Sequence, residues 1–235
     1  MMKIAVMQPY IFPYLGYFQL INSADSFILY DDVNFIKQGW VNRNRILANG
    51  KENLFTIPLK NASSFTPINE TELHPSLYAK WRIKFLRTLV QNYSKAPYFN
   101  KTYPVIENVF KEDNNISVLA TNSILAVLDY LDLKTKIHIS SQDFKESKGL
   151  DRADRLIEIS KKLNGSTYVN MIGGKDLYNR EYFKKQNVEL LFLKPRIKEY
   201  EQLGHNFIPA LSIIDVLMFN DKETILSFLT DYDFV

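Results

Sequence analysis

The sequence predicts an α/β fold with a doubly wound, mostly parallel, Rossmann-like sheet, and two observations lead to this prediction. Short, largely apolar runs such as residues 4–7 and 188–193 are typical of strands that are buried on both faces of a parallel sheet. These runs alternate with segments of helical periodicity. For 235 residues we expect a single domain, 1–235, with a helical insertion at about 76–131.

The N-terminal residues predict a β-α-β unit. A strand at 4–7 is followed by residues 8–14, where two prolines prevent a helix and keep the chain extended. Helical periodicity covers 17–24, and a second apolar strand at 26–30 ends at two carboxylates. We expect the crossover of this unit to be right-handed.

The middle of the chain is first polar and then helical. Residues 34–49 are polar and end in an Asn49-Gly50 turn, after which we expect a strand at 54–59. The loop at 60–75 is long enough to act as a lid or a docking segment. Apolar spacing then predicts a helix over 76–93 and a helical region over 103–131 that is broken near 113–115.

The last hundred residues return to alternation. We expect strands at 136–139, 167–170 and 188–193, and helices at 151–163, 175–186 and 211–219. The last of these helices is apolar and fits either the core or a homodimer interface.

Composition excludes several kinds of chemistry. The chain has no Cys and three His, which rules out thiolate chemistry and leads us to expect no metal site. Its net charge of +3 is too small to indicate a nucleic-acid surface. No apolar run approaches the roughly 20 residues of a membrane span, and the chain opens directly into a strand, so we expect a cytoplasmic protein. The chain is rich in aromatic residues, with 14 Tyr and 16 Phe.

Ligands of open α/β sheets bind beyond the carboxyl ends of the strands, so the loops after residues 7, 30, 170 and 193 are the candidate site. In the first loop, Tyr14-Leu15-Gly16-Tyr17 has the position and spacing of the His-x-Gly-His motif of adenylyltransferase-type folds, with Tyr at both His positions. This predicts a nucleotidyltransferase-like N-terminal half in which Gly16 and a helix N-terminus approach a phosphate. A Tyr-rich loop that only packs over the sheet edge is the alternative.

Polar residues follow the second strand. Asp31 and Asp32 suit an ammonium group, a sugar hydroxyl or a hydrated Mg²⁺. Beyond them, Arg43 and Arg45 offer guanidinium forks to a phosphate or carboxylate, beside Trp40 and the amide of Asn42. Ordinary surface salt bridges are the alternative for these charges.

Two further segments contain candidate residues. Asn170, Gly173, Gly174 and Lys175 lie between a strand and a helix, where they match neither dinucleotide nor P-loop patterns, and a plain tight turn is the alternative reading. His205 follows the last expected strand in a polar turn, and it is the one His that we consider catalytic, with a surface His as the alternative.

Four segments together resemble the WbqC-like family of bacteria. They are MKIAVMQPYIFPYLGYFQLINSADSFILYDDVNFIKQGWVNRNRI, FTIPL, STYVNMIGGKDLY and FIPALSIIDVLMFN, and the resemblance spans nearly the whole chain. It implies a role in the biosynthesis of surface polysaccharides of the O-antigen type, with transfer of an amino acid such as glycine, or of another acyl group. It implies no established catalytic residues.

Local chemistry and resemblance join in one hypothesis. The chain is an acyl or aminoacyl transferase, or an ATP-dependent amide-forming ligase, that acts on the amine of a nucleotide-linked amino sugar. The donor is either an acid activated with ATP and Mg²⁺ or a preformed donor such as a CoA thioester. The alternative is a non-catalytic accessory protein of a glycan locus whose aromatic loop grips a sugar or nucleotide sugar.

The hypothesis assigns roles to the candidate residues. Tyr17 or His205 is expected near the carbonyl oxygen, Asp31 or Asp32 at the sugar amine, and Lys175 at the leaving group. The catalytic candidates are therefore Tyr17, His205 and Asp32. The binding candidates are Gln8, Tyr10, Tyr14, Gly16, Asp31, Trp40, Asn42, Arg43, Arg45, Asn170, Gly173, Gly174 and Lys175.

Overall fold

The structure, a computed structural model, describes residues 2–111, 114–204 and 206–235. A six-stranded sheet forms its centre, in the spatial order β5-β2-β1-β6-β7-β8. Its strands are β1 (Lys3–Met7), β2 (Ser26–Leu29), β5 (Lys136–Ile139), β6 (Thr167–Met171), β7 (Glu189–Pro195) and β8 (Tyr232–Phe234). All pairs are parallel except β7 with β8. The expected α/β fold with a mostly parallel sheet is thus confirmed.

The direction of the strand order changes once within the sheet. From β1 the chain proceeds to β2 and then to β5 on one side, whereas β6 lies on the other side of β1 and is followed by β7. The order therefore reverses between β1 and β6, and this point places the site described below.

Helices and a separate hairpin surround the sheet. The hairpin consists of β3 (Arg43–Ala48) and β4 (Lys51–Thr56). The helices are α1 (Leu15–Ser23), α2 (Tyr78–Tyr93), α3 (Phe99–Val109), α4 (Ile116–Leu131), α5 (Ser140–Asp143), α6 (Arg152–Lys162), α7 (Arg180–Lys185), α8 (Ile213–Phe219) and α9 (Lys222–Leu229), with 3-10 turns at Ile68–Glu70, Lys145–Ser147 and Ile172–Leu177.

Both faces of the sheet are packed. Because successive side chains of a strand point to opposite faces, Ala5 joins a core that contains Phe18 of α1, and Ile4 and Val6 join a second core that contains Leu156 of α6. This burial on both faces explains why the central strands are largely apolar.

The segment predicted as an insertion forms α2, α3 and α4, between β4 and β5 in the chain. Leu89, Ile106 and Ile124 of these helices belong to the same hydrophobic core as Phe27 of β2. The single-domain organisation stays a prediction. Among the residues that the structure covers, every helix is too short or too polar to cross a membrane.

Several elements differ from the expectations. Strand β3 lies in the polar stretch, and β4 ends at Thr56. Ile57 still donates its N–H to Asn42 O in the register of the hairpin, but the next residue is Pro58, which has no N–H to continue the pairing. The helix expected over 175–186 is a 3-10 turn followed by α7, which begins after Asn179 caps it through the N–H of Tyr182.

The C-terminal part holds two elements that the sequence pattern did not indicate, α9 and the antiparallel edge strand β8, so the expected strand at 188–193 is not the last one.

The apolar helix α8 is packed inside the chain, where Ile213, Ile214 and Met218 are fully buried. The loop at 60–75 is held by bridges of Leu59 with Leu73 and of Asn34 with Pro67. A homodimer and a lid both stay predictions.

Candidate functional site

A cleft of about 710 Å³ opens at the carboxyl ends of β1 and β6, where the strand order reverses. We call it the β1–β6 cleft. This is the position at which open α/β sheets bind their ligands. Five of the residues that the sequence singled out line it: Gln8, Tyr10, Asn170, Gly173 and Gly174.

Two arginines of α6 also line the cleft, and the sequence reading missed both. Helix α6 leads from β5 to β6, so its first turn lies at the same sheet edge as the cleft. Arg152 is exposed and makes no ion pair with any residue that the structure describes. Arg155, one helical turn later, is 4% exposed. The cleft therefore contains one free cation and one buried cation.

Arg155 is held by a buried ion pair. Its Nη2 donates to Oδ2 of Asp32 at 2.6 Å, and its Nε donates to Oγ of Ser147 at 3.1 Å. The guanidinium carbon lies 4.6 Å from the ring centroid of Tyr30, which is a cation–π contact. These three contacts fix the plane of the guanidinium at the cleft wall.

Asp31 and Asp32 form an anchoring network, and neither lines the cleft. Asp31 accepts hydrogen bonds from Ser140 Oγ at 3.0 Å, Ser141 N at 3.0 Å and Ser141 Oγ at 2.7 Å. Oδ1 of Asp32 accepts from Ser140 Oγ at 2.6 Å. Both carboxylates are thus occupied by the chain itself, and the structure does not bring either one to a ligand.

The phenols of Tyr30 and Tyr178 complete the polar wall of the cleft. Burial raises the pKa of Tyr30, and the charges of Arg155 and Arg152 oppose this shift. Burial likewise raises the pKa of Tyr178, against the charge of Arg152. Both side chains are therefore neutral hydroxyls at pH 7, able to donate and to accept hydrogen bonds.

The loop that resembles a His-x-Gly-His site is closed over itself. Tyr17 is 2% exposed and its hydroxyl donates to Gln8 O at 2.8 Å, while burial raises its pKa well above the ordinary range. A Cβ placed on Gly16 would lie 2.5 Å from a ring carbon of Tyr14, so this ring packs directly against Gly16. Neither Tyr17 nor Gly16 lines the β1–β6 cleft.

A second, smaller cavity of about 260 Å³ lies beside the cleft, and we call it the aromatic pocket. The structure brings four predicted residues together here: Tyr10, Tyr14, Trp40 and Arg45. Pro13, Asn44 and Ala210 complete the lining. Burial, with a contribution from the neighbouring Tyr10, raises the pKa of Tyr14 to about 12.

The polar residues that follow β2 mostly form hydrogen bonds with one another and with neighbouring backbone carbonyls. Arg43 donates to the carbonyls of Gly39 and Gln38, and Asn42 Nδ2 donates to Ile57 O at 2.9 Å. Arg45 donates to Glu52 at 2.9 Å and to Ala210 O at 3.1 Å. The guanidinium carbons of Arg43 and Arg45 each lie 5.4 Å from the Trp40 ring centroid. Of these arginines, Arg45 alone lines a cavity described above.

The remaining candidates lie elsewhere. Lys175 is exposed in the turn Ile172–Leu177 and does not line the cleft, and His205 lies outside the described residues. Among the residues with described positions, no three His, Asp or Glu side chains are grouped as a metal site would need. The pattern Asp151-Arg152-Ala153-Asp154-Arg155 could have revealed the missed arginines, because positions three apart at a helix start share a face.

Comparison with known proteins gives the family. The model of the WbqC-like protein family matches residues 8–226. A Mycobacterium tuberculosis protein described as "Uncharacterized protein Rv1507c" is 30% identical over 223 residues, which are 92% of this chain and 93% of that protein. No solved structure shows significant similarity to the chain. The chain belongs to the WbqC-like protein family.

Proposed function

We propose that this chain is a transferase that binds a nucleotide-linked amino sugar in the β1–β6 cleft and acylates the amine of the sugar. The acyl or aminoacyl product would serve the synthesis of a surface polysaccharide of the O-antigen type. The observation that supports this most is the placement of Arg152 and Arg155 at the point where the strand order reverses.

The cleft suits a nucleoside diphosphate in charge and in polarity. Arg152 makes no ion pair with any residue that the structure describes, and guanidinium groups bind phosphate oxygens through paired hydrogen bonds. The amides of Gln8 and Asn170 offer donors and acceptors for a ribose or a base. A Rossmann-like reading of the sheet predicts a nucleotide at this same edge.

The chemistry would rest on positioning. The amine nitrogen attacks the carbonyl carbon of a thioester donor, the carbon–sulfur bond breaks, and the proton lost by the nitrogen neutralises the departing thiolate. No described residue of the cleft lining is acidic or a histidine. The arginines and the neutral hydroxyls of Tyr30 and Tyr178 are the groups that can stabilise charge developing on the carbonyl oxygen.

A preformed donor fits this chain better than activation with ATP and Mg²⁺. The ring of Tyr14 covers Gly16, where the resembled motif would hold a phosphate. Asp31 and Asp32 are occupied by two serines and Arg155, so they are not arranged to hold a hydrated metal ion. We therefore derive no adenylation step.

A sugar-binding accessory protein is the second candidate, and one observation favours it. Two of the catalytic candidates, Tyr17 and Asp32, are engaged with the chain itself. The two functions differ in turnover. A protein that binds UDP- or dTDP-hexosamines, yet acylates none of them with acyl-CoA, an aminoacyl donor, or ATP and amino acids, is the accessory protein.

Calorimetry with UDP, dTDP and their hexosamine conjugates tests the proposal. Arg152→Ala should weaken binding by about tenfold or more, because a hydrogen bond to a charged group contributes about 1.5–3 kcal/mol. Lys175→Ala is the matched control, since it removes the same charge outside the cleft, and its affinity should stay within about twofold. If the wild type binds none of these nucleotides, the proposal is wrong. If Arg152→Ala binds them as tightly as the wild type does, the phosphates lie elsewhere.

A further inference from the structure

The β1–β6 cleft and the aromatic pocket meet at one side chain. Tyr10 lines both cavities, and among the described lining residues it is the only one that they share. Tyr10 is therefore a common wall of the two cavities, and a single ligand that occupies both has to pass this phenol. The volumes, about 710 Å³ and about 260 Å³, suit a large and a small portion of one molecule.

The loop that carries Tyr10 and Tyr14 is fixed from three distant elements. Phe12, between them, has a φ of 40°, a left-handed conformation that is strained for a bulky residue. Its N–H donates to Ser123 Oγ at 2.9 Å, and its carbonyl accepts from Asn44 Nδ2 and Ser212 Oγ, each at 2.7 Å. This strain is sustained by side chains of α4, of β3 and of the residue before α8. The two tyrosines are thus held in place before any ligand binds.

The opposite wall of the pocket is strained in the same way. Ala210 has a φ of 56°, also left-handed, and its carbonyl accepts from Arg45 Nη2 at 3.1 Å. Arg45 Nε is buried and has no hydrogen-bond partner among the described residues. Backbone strain at Ala210 in the lining and at Phe12 behind it, together with a buried unpaired donor, is the kind of feature that functional sites retain.

We infer that the aromatic pocket is the subsite for the sugar ring of the nucleotide-linked substrate, and that Tyr10 marks the junction between the nucleotide and the sugar. The inference rests on the proposed function of the cleft. Pro13, Trp40 and Ala210 offer an apolar surface to the C–H face of the ring, and Tyr10 and Tyr14 add two phenol side chains to the same lining.

The charges of the pocket suit an acyl acceptor. Arg45 is its one charged lining residue among those described, its partner Glu52 lies on β4 outside the lining, and Tyr10 and Tyr14 are neutral phenols. An amine bound here meets a cation and no carboxylate, which favours its uncharged form. The uncharged amine is the form that attacks a carbonyl carbon.

Calorimetry with UDP against UDP-glucosamine and UDP-glucose, and with dTDP against its hexosamine, measures the sugar's contribution. We expect at least one conjugate to bind about tenfold more tightly than its free nucleotide. Ala210→Leu, which places a larger side chain in the pocket, should abolish that gain and leave the affinity for the free nucleotide within about twofold. Tyr14→Phe, which removes one hydroxyl, should reduce the gain by about threefold to tenfold.

Tyr182→Phe is the control, because this exposed tyrosine of α7 lies outside both cavities and donates to Asp154. If Ala210→Leu fails to fold, Tyr14→Phe decides the matter on its own. A gain that survives in both pocket variants, or conjugates that bind no better than the free nucleotides, overturns this inference alone. Absence of all nucleotide binding overturns the proposed function instead.

Discussion

Arg155 and Asp32 form a buried ion pair at 2.6 Å although they lie 123 positions apart in the chain. Their side chains are 5% and 2% exposed. The pair joins the first turn of α6 to the residues that follow β2, across the whole helical segment between them. The cleft wall and the fold therefore depend on the same contact.

Removing one partner should be costly. Arg155→Met leaves the carboxylate of Asp32 buried without its cation, and such losses cost about 3–5 kcal/mol. The double variant Asp32→Leu with Arg155→Met removes both charges and should recover much of that loss. Urea unfolding of the wild type, both single variants and the double variant measures the coupling. A cost below about 1 kcal/mol for Arg155→Met would show that the pair contributes little to the fold.

This ion pair also shows what the sequence could and could not predict. Asp32 follows an apolar strand, so the rule for parallel sheets puts it at the carboxyl edge of the sheet. Its partner lies on a helix that reaches the same edge only through the three-dimensional path of the chain. Local spacing identifies strands and helices, but it does not identify partners that are 123 residues apart.

Tyr17→Phe separates a positioning role from a catalytic one. The variant removes only the hydrogen bond from the hydroxyl to Gln8 O, at 2.8 Å in the core. We expect the free energy of unfolding to fall by about 1–2 kcal/mol, and nucleotide affinity to change by less than about threefold. A hundredfold loss of turnover in a variant of near-normal stability would show that the Tyr17 hydroxyl acts in catalysis.

Two adjacent glycines provide a matched pair of variants at the cleft. A Cβ on Gly174 would overlap Nδ2 of Asn170, whereas a Cβ on Gly173 meets nothing within 4 Å. Gly174→Ala should displace the Asn170 amide and weaken nucleotide binding by about tenfold. Gly173→Ala should bind like the wild type. Calorimetry with UDP and dTDP gives both values, and equal affinities for the two variants would show that Asn170 does not contact the ligand.

The loop formed by residues 10–14 should become more mobile when the side chain of Asn44 is truncated to Ala. Its Nδ2 donates to Ile11 O at 3.1 Å and to Phe12 O at 2.7 Å, so Asn44→Ala leaves two carbonyls with fewer donors and should cost about 2 kcal/mol. Amide hydrogen exchange should accelerate at residues 10–14. Asn42→Ala is the comparison, because it removes one bond to Ile57 O and should leave that loop protected. Equal exchange in both variants would contradict the anchoring role.

Asn42 and Asn44 also explain why the residues that line the cleft were only partly predictable. Amide side chains in a polar segment suit ligand hydroxyls and backbone carbonyls equally well. In the fold Asn42 and Asn44 both bind carbonyls of the chain, whereas Gln8 and Asn170, next to apolar strands, do line the cleft. Adjacency to the end of a buried strand was the more reliable signal, because the topology itself puts those ends at one edge.

Asp215 should give the stability of the protein a measurable pH dependence. Its carboxylate is fully buried in α8 and accepts hydrogen bonds from Tyr200 Oη at 2.6 Å, Gln202 Nε2 at 2.6 Å and Tyr93 Oη at 2.8 Å. Burial raises its pKa, and these three donors oppose the shift without cancelling it. The folded state therefore holds this proton more tightly than the unfolded state does.

A group of this kind stabilises the fold most at low pH. The contribution is complete below the unfolded pKa of about 3.9 and declines as the pH rises through the higher folded pKa. Asp215→Asn does not titrate, so the difference in unfolding free energy between wild type and variant removes the effect of all other groups. The unfolding free energy of the wild type, relative to that of Asp215→Asn, should therefore fall as the pH is raised from about 4 towards 7. A difference that is constant, or that moves in favour of the wild type, would mean that the donors outweigh burial and hold the carboxylate ionised.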